Sequence, residues 1–183
     1  MNLLKLLGAV FALSLVTSPS LAREPMMLDD RAAEVVVSKM LFAVDRLDWP
    51  AVRAALADEV ETDYTSLFGG TAERLAADTL VQRWQGLLPG FDATQHLTGP
   101  VIVTASEGSR ATAETHVRAY HYVEADMWMI AGHYVMQLER AAAGWKISSI
   151  RLDSYRQEGN RNLPAAAIEN VKKGRLRPLP SGA

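Results

Sequence analysis

Residues 110–152 read RATAETHVRAYHYVEADMWMIAGHYVMQLERAAAGWKISSIRL, and apolar or small residues alternate there with polar ones over runs much longer than a turn or loop. A period of two predicts strands over Arg110–Val123, Trp128–Arg140 and Trp145–Leu152, with Ala143-Gly144 turning the chain between the last two. Three long strands joined by short connections make an antiparallel meander. Just upstream, Thr94–Leu97 and Val101–Ser106 read as shorter strands, and Glu107-Gly108-Ser109 as the turn into the first long one.

Before Phe91 the period changes to 3.6. Asp29 and Asp30 can cap a helix reaching Leu47, whose stripe is Val36, Met40, Ala43, Val44 and Leu47. Asp48-Trp49-Pro50 restarts the chain, and a second short helix is expected over Ala51–Ala57. Val60–Tyr64 reads as a brief strand. Thr71 then caps a third helix to about Leu88, closed by Pro89-Gly90. Helices first and strands afterwards predict an α+β fold, with helices packed on one face of a curved, mostly antiparallel sheet.

The ends read differently. Met1–Lys5 carries one positive charge, Leu6–Val16 is apolar apart from Gly8 and Ser14, and Leu21-Ala22 offers a small-residue cleavage site. This predicts a signal peptide over residues 1–22, a main domain over 23–160, and a periplasmic or secreted bacterial location without stable membrane insertion after cleavage. Residues 161–183 are expected to form a short helix, Leu163–Lys172, and a mobile tail from Arg175 to Ala183.

Composition removes several function classes. Hydrophobic residues make up 49% of the 183 and charged residues 22%, which excludes a disordered chain. Nineteen Lys and Arg against 21 Asp and Glu give a net charge of -2, so no nucleic-acid partner is expected. Cysteine is absent, which excludes disulfides, thiolate metal sites and cysteine nucleophiles. The histidines show no His-x-His or His-Glu-x-x-His spacing, and neither a phosphate-binding loop nor a Gly-x-Ser-x-Gly elbow occurs. No metal or cofactor is therefore expected.

The remaining chemical candidates are the histidines, carboxylates and tyrosines. By strand parity His121 shares a face with Val117, Ala119 and Val123 and points inward, whereas His116 goes with Arg118, Tyr120 and Tyr122 toward solvent. His133 lies opposite Trp128, Ile130, Tyr134 and Met136 and reads as structural or surface. Asp45 sits at the apolar boundary of the first helix, where a carboxylate needs a partner. That partner is an inward histidine or, alternatively, a solvent-facing network with its neighbours Arg46 and Asp48.

Six segments in order then carry a family resemblance: Ala43-Val44-Asp45-Arg46-Leu47-Asp48-Trp49, Asp63-Tyr64, Thr94-Gln95-His96-Leu97-Thr98-Gly99, Val117-Arg118-Ala119-Tyr120-His121, Gly132-His133-Tyr134 and Gly144-Trp145-Lys146-Ile147. Over Asp29–Tyr155 the chain resembles the SnoaL-like branch of the nuclear-transport-factor-like superfamily, scytalone dehydratase-like members above all. The resemblance implies a conical α+β barrel, a strongly bent sheet wrapped around the N-terminal helices and enclosing an apolar pocket. It also implies roles by position: Asp45 pairs with a catalytic His96, Tyr64 polarises a substrate carbonyl, and His121 is a second histidine of the site. Two departures stand out. Val44 occupies the place of a second pocket tyrosine, and Lys39 is not where dehydrochlorinases carry their helix lysine.

Those roles imply a cofactor-independent lyase of dehydratase type, or an isomerase, acting on a small apolar or aromatic carbonyl compound. The alternative is a periplasmic small-molecule binding or carrier protein with the same pocket and no chemistry. Trp84, Leu88, Phe91, Met127, Trp128 and Met129 are the candidates for shaping the pocket. Tyr120, Tyr122 and Arg118 on the outer sheet face suggest a homo-oligomer.

Overall fold

The computed structural model describes residues 23–178; the expected leader at 1–22 and the last five residues of the tail lie outside them. Helix α1 (Arg23–Asp45) leads into α2 (Trp49–Ala55), strand β1 (Leu56–Asp63), the single turn α3 (Thr65–Phe68), β2 (Glu73–Ala76), α4 (Ala77–Gln85) and a 3-10 turn, Leu88–Gly90. Strands β3 (Ala93–Thr98), β4 (Ile102–Glu107), β5 (Arg110–Val123), β6 (Asp126–Ala141) and β7 (Gly144–Gly159) follow, and α5 (Leu163–Lys172) closes the order. Among the described residues no helix is long and apolar enough to cross a membrane.

The seven strands form one sheet in the order β2-β1-β7-β6-β5-β3, with β4 also on β5. β3 takes the second half of β5, from Val117 to Tyr122, and β4 takes the first half. Every pairing is antiparallel except β1 with β7. The sheet curves without closing, so the barrel has two open edges. Its bend follows from irregular register where β7 meets β6, at Ala131/Gly132 and at Gln137/Leu138. The second of these switches the buried positions of β7 from Trp145 and Ile147 to Ile150 and Leu152.

The concave face meets α1. Small residues on β5, namely Ala111, Ala113 and Ala119, leave room there for Val37, Met40, Leu41 and Val44 of the helix, all buried. Trp145 ties the start of α1 to the sheet by donating its indole N–H to the Asp29 carbonyl at 3.1 Å. On the convex face the rings of Tyr120 and Tyr122 stack 6.4 Å apart.

Helix α1 begins at Arg23, so Asp29 and Asp30 lie inside it rather than cap it, and it ends at Asp45 rather than Leu47; three further boundaries change for a tertiary reason. The helix expected from Thr71 to Leu88 shortens to Ala77–Gln85, because Glu73–Ala76 instead pairs with the edge of β1. The second helix stops at Ala55, since Leu56 opens β1 against β7. β7 runs seven residues beyond Leu152, because the start of β6 offers it partners as far as Trp128↔Gly159.

Helix α5 crosses the 3-10 turn at Gly90, where a Cβ would overlap the Ala167 carbonyl. Gly90→Ala is expected to push α5 away and cost about 1–3 kcal/mol, read as a lower urea midpoint. An unchanged midpoint would show that α5 does not sit on this turn.

Candidate active site

The site is built where α1 ends. Asp48 N–H bonds the Ala43 carbonyl at 3.0 Å and Leu47 N–H that of Val44 at 3.1 Å, with Leu47 at a φ of 57°. This is a Schellman closure with leucine in the left-handed position usually given to glycine, and burial of Leu47 to 5% exposure offsets the strain. It makes Asp45 the last helical residue. A carboxylate at a helix C-terminus is poorly placed in the dipole, and the last turn of α1 has no basic residue.

Strand β3 supplies the compensation. Asp45 Oδ2 accepts the His96 backbone N–H at 2.7 Å, and Oδ1 lies 2.8 Å from His96 Nδ1 and accepts the Thr94 hydroxyl at 3.0 Å. Burial pushes the Asp45 carboxyl upward, but the hydrogen bonds and charge of His96, with the Thr94 hydroxyl, outweigh it and hold the group below the usual carboxylate range. With His96 neutral, ionised Asp45 accepts a hydrogen bond from the imidazole N–H at Nδ1 and leaves the His96 Nε2 lone pair free. The solvent-facing network with Arg46 and Asp48 does not form. Arg46 lies over the Phe42 ring, and Asp48 caps α2 through Ala51 N–H.

His96 opens onto a cavity of about 240 Å³. Its wall is mostly apolar: Met40, Leu41 and Val44 from α1, Ile130 and Met136 from β6, and Trp84 and Leu87 at and after the end of α4, where Arg83 also reaches it. Tyr64, His121 and Tyr134 line the same space. All the residues expected from the sequence therefore meet here, with Asp45 set behind His96.

His121 is 6% exposed and packed between Phe91 and Trp128, with ring centroids 4.9 Å away in each case, and edge-on to His96 at 6.2 Å. Its Nδ1 is buried without a hydrogen-bond partner. Burial, reinforced by the charge of His96, lowers its pKa to about 4. His121 is consequently neutral near pH 7. Burial lifts the Tyr64 phenol well above its usual range, with Tyr134 adding to the effect; the Tyr134 phenol rises through burial and the Asp45 charge. Both are therefore neutral hydroxyl donors.

Tyr134 is the residue that sequence reasoning passed over. Its parity with Trp128 and Ile130 places it on the inner face of β6, and no role was assigned to it. Of the residues expected to shape the pocket, Trp84, Leu88 and Trp128 line it, Phe91 backs His121, and Met127 and Met129 are not part of the wall. His133 instead reaches Glu114 at 3.2 Å and faces His116 at 5.2 Å, away from the cavity. Among the described residues no three His, Asp or Glu side chains are grouped to hold a metal ion.

Comparison with known proteins agrees with this architecture. A family model described as the SnoaL-like domain matches residues 25–151. No curated protein matches the sequence. Among solved structures, the Kfla4162 protein of Kribbella flavida superposes with a TM-score of 0.70 at 24% identity, covering 78% of this chain and 98% of the other. A Novosphingobium aromaticivorans protein carrying the name scytalone dehydratase gives 0.64 at 17% identity, over 76% and 92% of the two chains. The hexachlorocyclohexane dehydrochlorinase LinA-type3 of Novosphingobium barchaimii gives 0.62 at 17% identity, over 76% and 95%. At such identities the likeness is one of fold.

Proposed function

Because this chain belongs to the SnoaL-like domain family, we propose that it is an exported, cofactor-independent lyase of dehydratase type, or an isomerase, acting on a small apolar or aromatic carbonyl compound. The observation that carries this reading is the 2.8 Å contact of Asp45 with His96, whose ring opens into an apolar cavity. A simple binding pocket has no need of a base oriented by a half-buried carboxylate. The names of two structural neighbours, a dehydratase and a dehydrochlorinase, both describe eliminations and add support.

In the proposed reaction His96 Nε2 removes a proton from the carbon next to the substrate carbonyl. The C–H electron pair becomes an enolate, whose oxygen takes hydrogen bonds from Tyr64 and Tyr134. As the enolate collapses, its electrons form the C=C bond and break the bond from the β-carbon to the hydroxyl oxygen. The proton held on His96 returns to that oxygen, directly or through neutral His121, and water leaves. Without a β-hydroxyl, return of the proton to another carbon completes an isomerisation.

The test is incubation with a panel of cyclic and aromatic β-hydroxy ketones in deuterated water, followed by mass spectrometry. Loss of water, or deuterium gained next to the carbonyl, is expected. A panel that binds and is returned unchanged and undeuterated would favour the carrier reading. Tyr134 provides a finer check. Tyr64→Phe and Tyr134→Phe are each expected to lower kcat about ten-fold with little change in KM, because the other phenol still holds the enolate oxygen. The double variant should lose more than either; a double variant as active as the parent would remove both tyrosines from the mechanism.

A further inference from the structure

The end of the chain reaches the site from outside the barrel. After α5, Arg175 N–H bonds the Asn170 carbonyl at 2.8 Å and Arg177 N–H bonds the Pro89 carbonyl at 2.9 Å, so residues 175–177 lie across the 3-10 turn. The Arg177 guanidinium then enters a half-buried position beneath α1. Its Nη2 donates to the Asp45 backbone carbonyl at 2.8 Å and its Nη1 to the Thr94 hydroxyl at 3.0 Å. A cation thus caps the end of α1, where the helix's own last turn supplies none.

The direction of these bonds matters more than their number. A guanidinium has donors only, so the Thr94 oxygen facing Arg177 must accept. The single hydroxyl proton of Thr94 is then left for Asp45 Oδ1, the same oxygen that faces His96 Nδ1. Ionised Asp45 accepts on both oxygens, so the proton of a neutral His96 sits on Nδ1, and the Arg177–Thr94 contacts hold the carboxylate in that place.

We infer that Arg177 is a positioning residue of the Asp45–His96 pair: by capping the end of α1 and holding Thr94 with its hydroxyl proton toward Asp45, it keeps the carboxylate aligned on His96 Nδ1, and so keeps Nε2 as the nitrogen free to act as a base. This deepens the reading of the site as an acid-base centre and rests on it for its functional meaning. The hydrogen-bond chain itself can be tested without a substrate. Burial makes the Arg177 charge less favourable and the nearby Asp45 charge makes it more so, in keeping with a coupling between the two.

The experiment is long-range proton–nitrogen NMR of the histidine rings in the full chain at neutral pH. The unmodified protein should show His96 in one tautomer, protonated at Nδ1, with a downfield proton shared with Asp45. In Arg177→Met, which keeps the stem and removes all donors, that proton signal should be lost and the two tautomers mixed. Arg177→Lys, which keeps a cationic donor, should restore the single tautomer. Thr94→Val, which breaks the relay and leaves the helix cap, should behave like Arg177→Met. His121 and His133 signals serve as the control for folding.

A single Nδ1 tautomer with an unchanged downfield proton in both Arg177→Met and Thr94→Val would overturn the proposal. Should Arg177→Met fail to fold, Thr94→Val decides by the same reading. Turnover separates the two proposals. An inactive protein with the expected tautomer changes sinks the elimination chemistry alone, and an active protein without them sinks the role of Arg177 alone.

Discussion

Asp45→Asn is expected to lower turnover by about 10²–10⁴-fold while leaving the fold intact, and His96→Ala by as much. An asparagine in that place has a single acceptor oxygen, so it can keep the bond from the His96 backbone N–H, 2.7 Å long in the parent, only by turning its NH2 toward the Thr94 hydroxyl and His96 Nδ1. It cannot stabilise the imidazolium that forms when His96 takes a proton, and its amide can present N–H to Nδ1 and favour the wrong tautomer. The two losses should not add, because both variants disable one unit. Steady-state kinetics with circular dichroism as a control check this. Full activity in either variant would remove the pair from the chemistry.

The second large effect is on stability. His121 has a pKa of about 4 in the fold against 6.5 unfolded, so between those values the unfolded chain binds a proton that the native state refuses. Stability contributed by neutral His121 is complete above about pH 6.5 and is lost as the pH falls toward 4, by about 3 kcal/mol in total. Asp45 acts in a separate, lower window. Its depressed pKa gives stability that is present above the ordinary carboxyl value of 3.8 and is lost as the pH falls through its folded value.

Urea midpoints measured at pH 7 and pH 4.5 should therefore differ strongly in the unmodified protein. In His121→Phe, which can fill the slot between Phe91 and Trp128 and carries no titratable ring, most of that difference should vanish. An equal pH dependence in the variant would mean that the ring is solvated rather than buried.

How much of this was legible in the sequence varies with the length scale of each signal. The alternation over Arg110–Leu152 marked three long strands, because a half-buried sheet imposes period two on every residue it contains. The same parity set His121 inward and His116 outward, and His121 is indeed buried. Glu73–Ala76 was misread as helix, since four residues carry too little pattern to outweigh a capping threonine and only the β1 edge makes them a strand. Tyr134 was visible as an inward residue, but parity does not distinguish a phenol that packs from one that lines a cavity.

What the sequence determined by itself is the layout: helices first, a long meander after them, and a small set of carboxylate, histidine and tyrosine residues on chemistry-bearing positions. Local periodicity and capping are properties of consecutive residues, so they are written in the chain. Only the tertiary structure decided which of those residues meet. Asp45 and His96 are 51 positions apart, and Arg177 stands 132 positions beyond Asp45. Their contact depends on how α1 ends, how β3 lies along β5 and where the tail crosses the 3-10 turn. Hydrogen bonds of about 3 Å answer to the sum of those placements and to no local pattern.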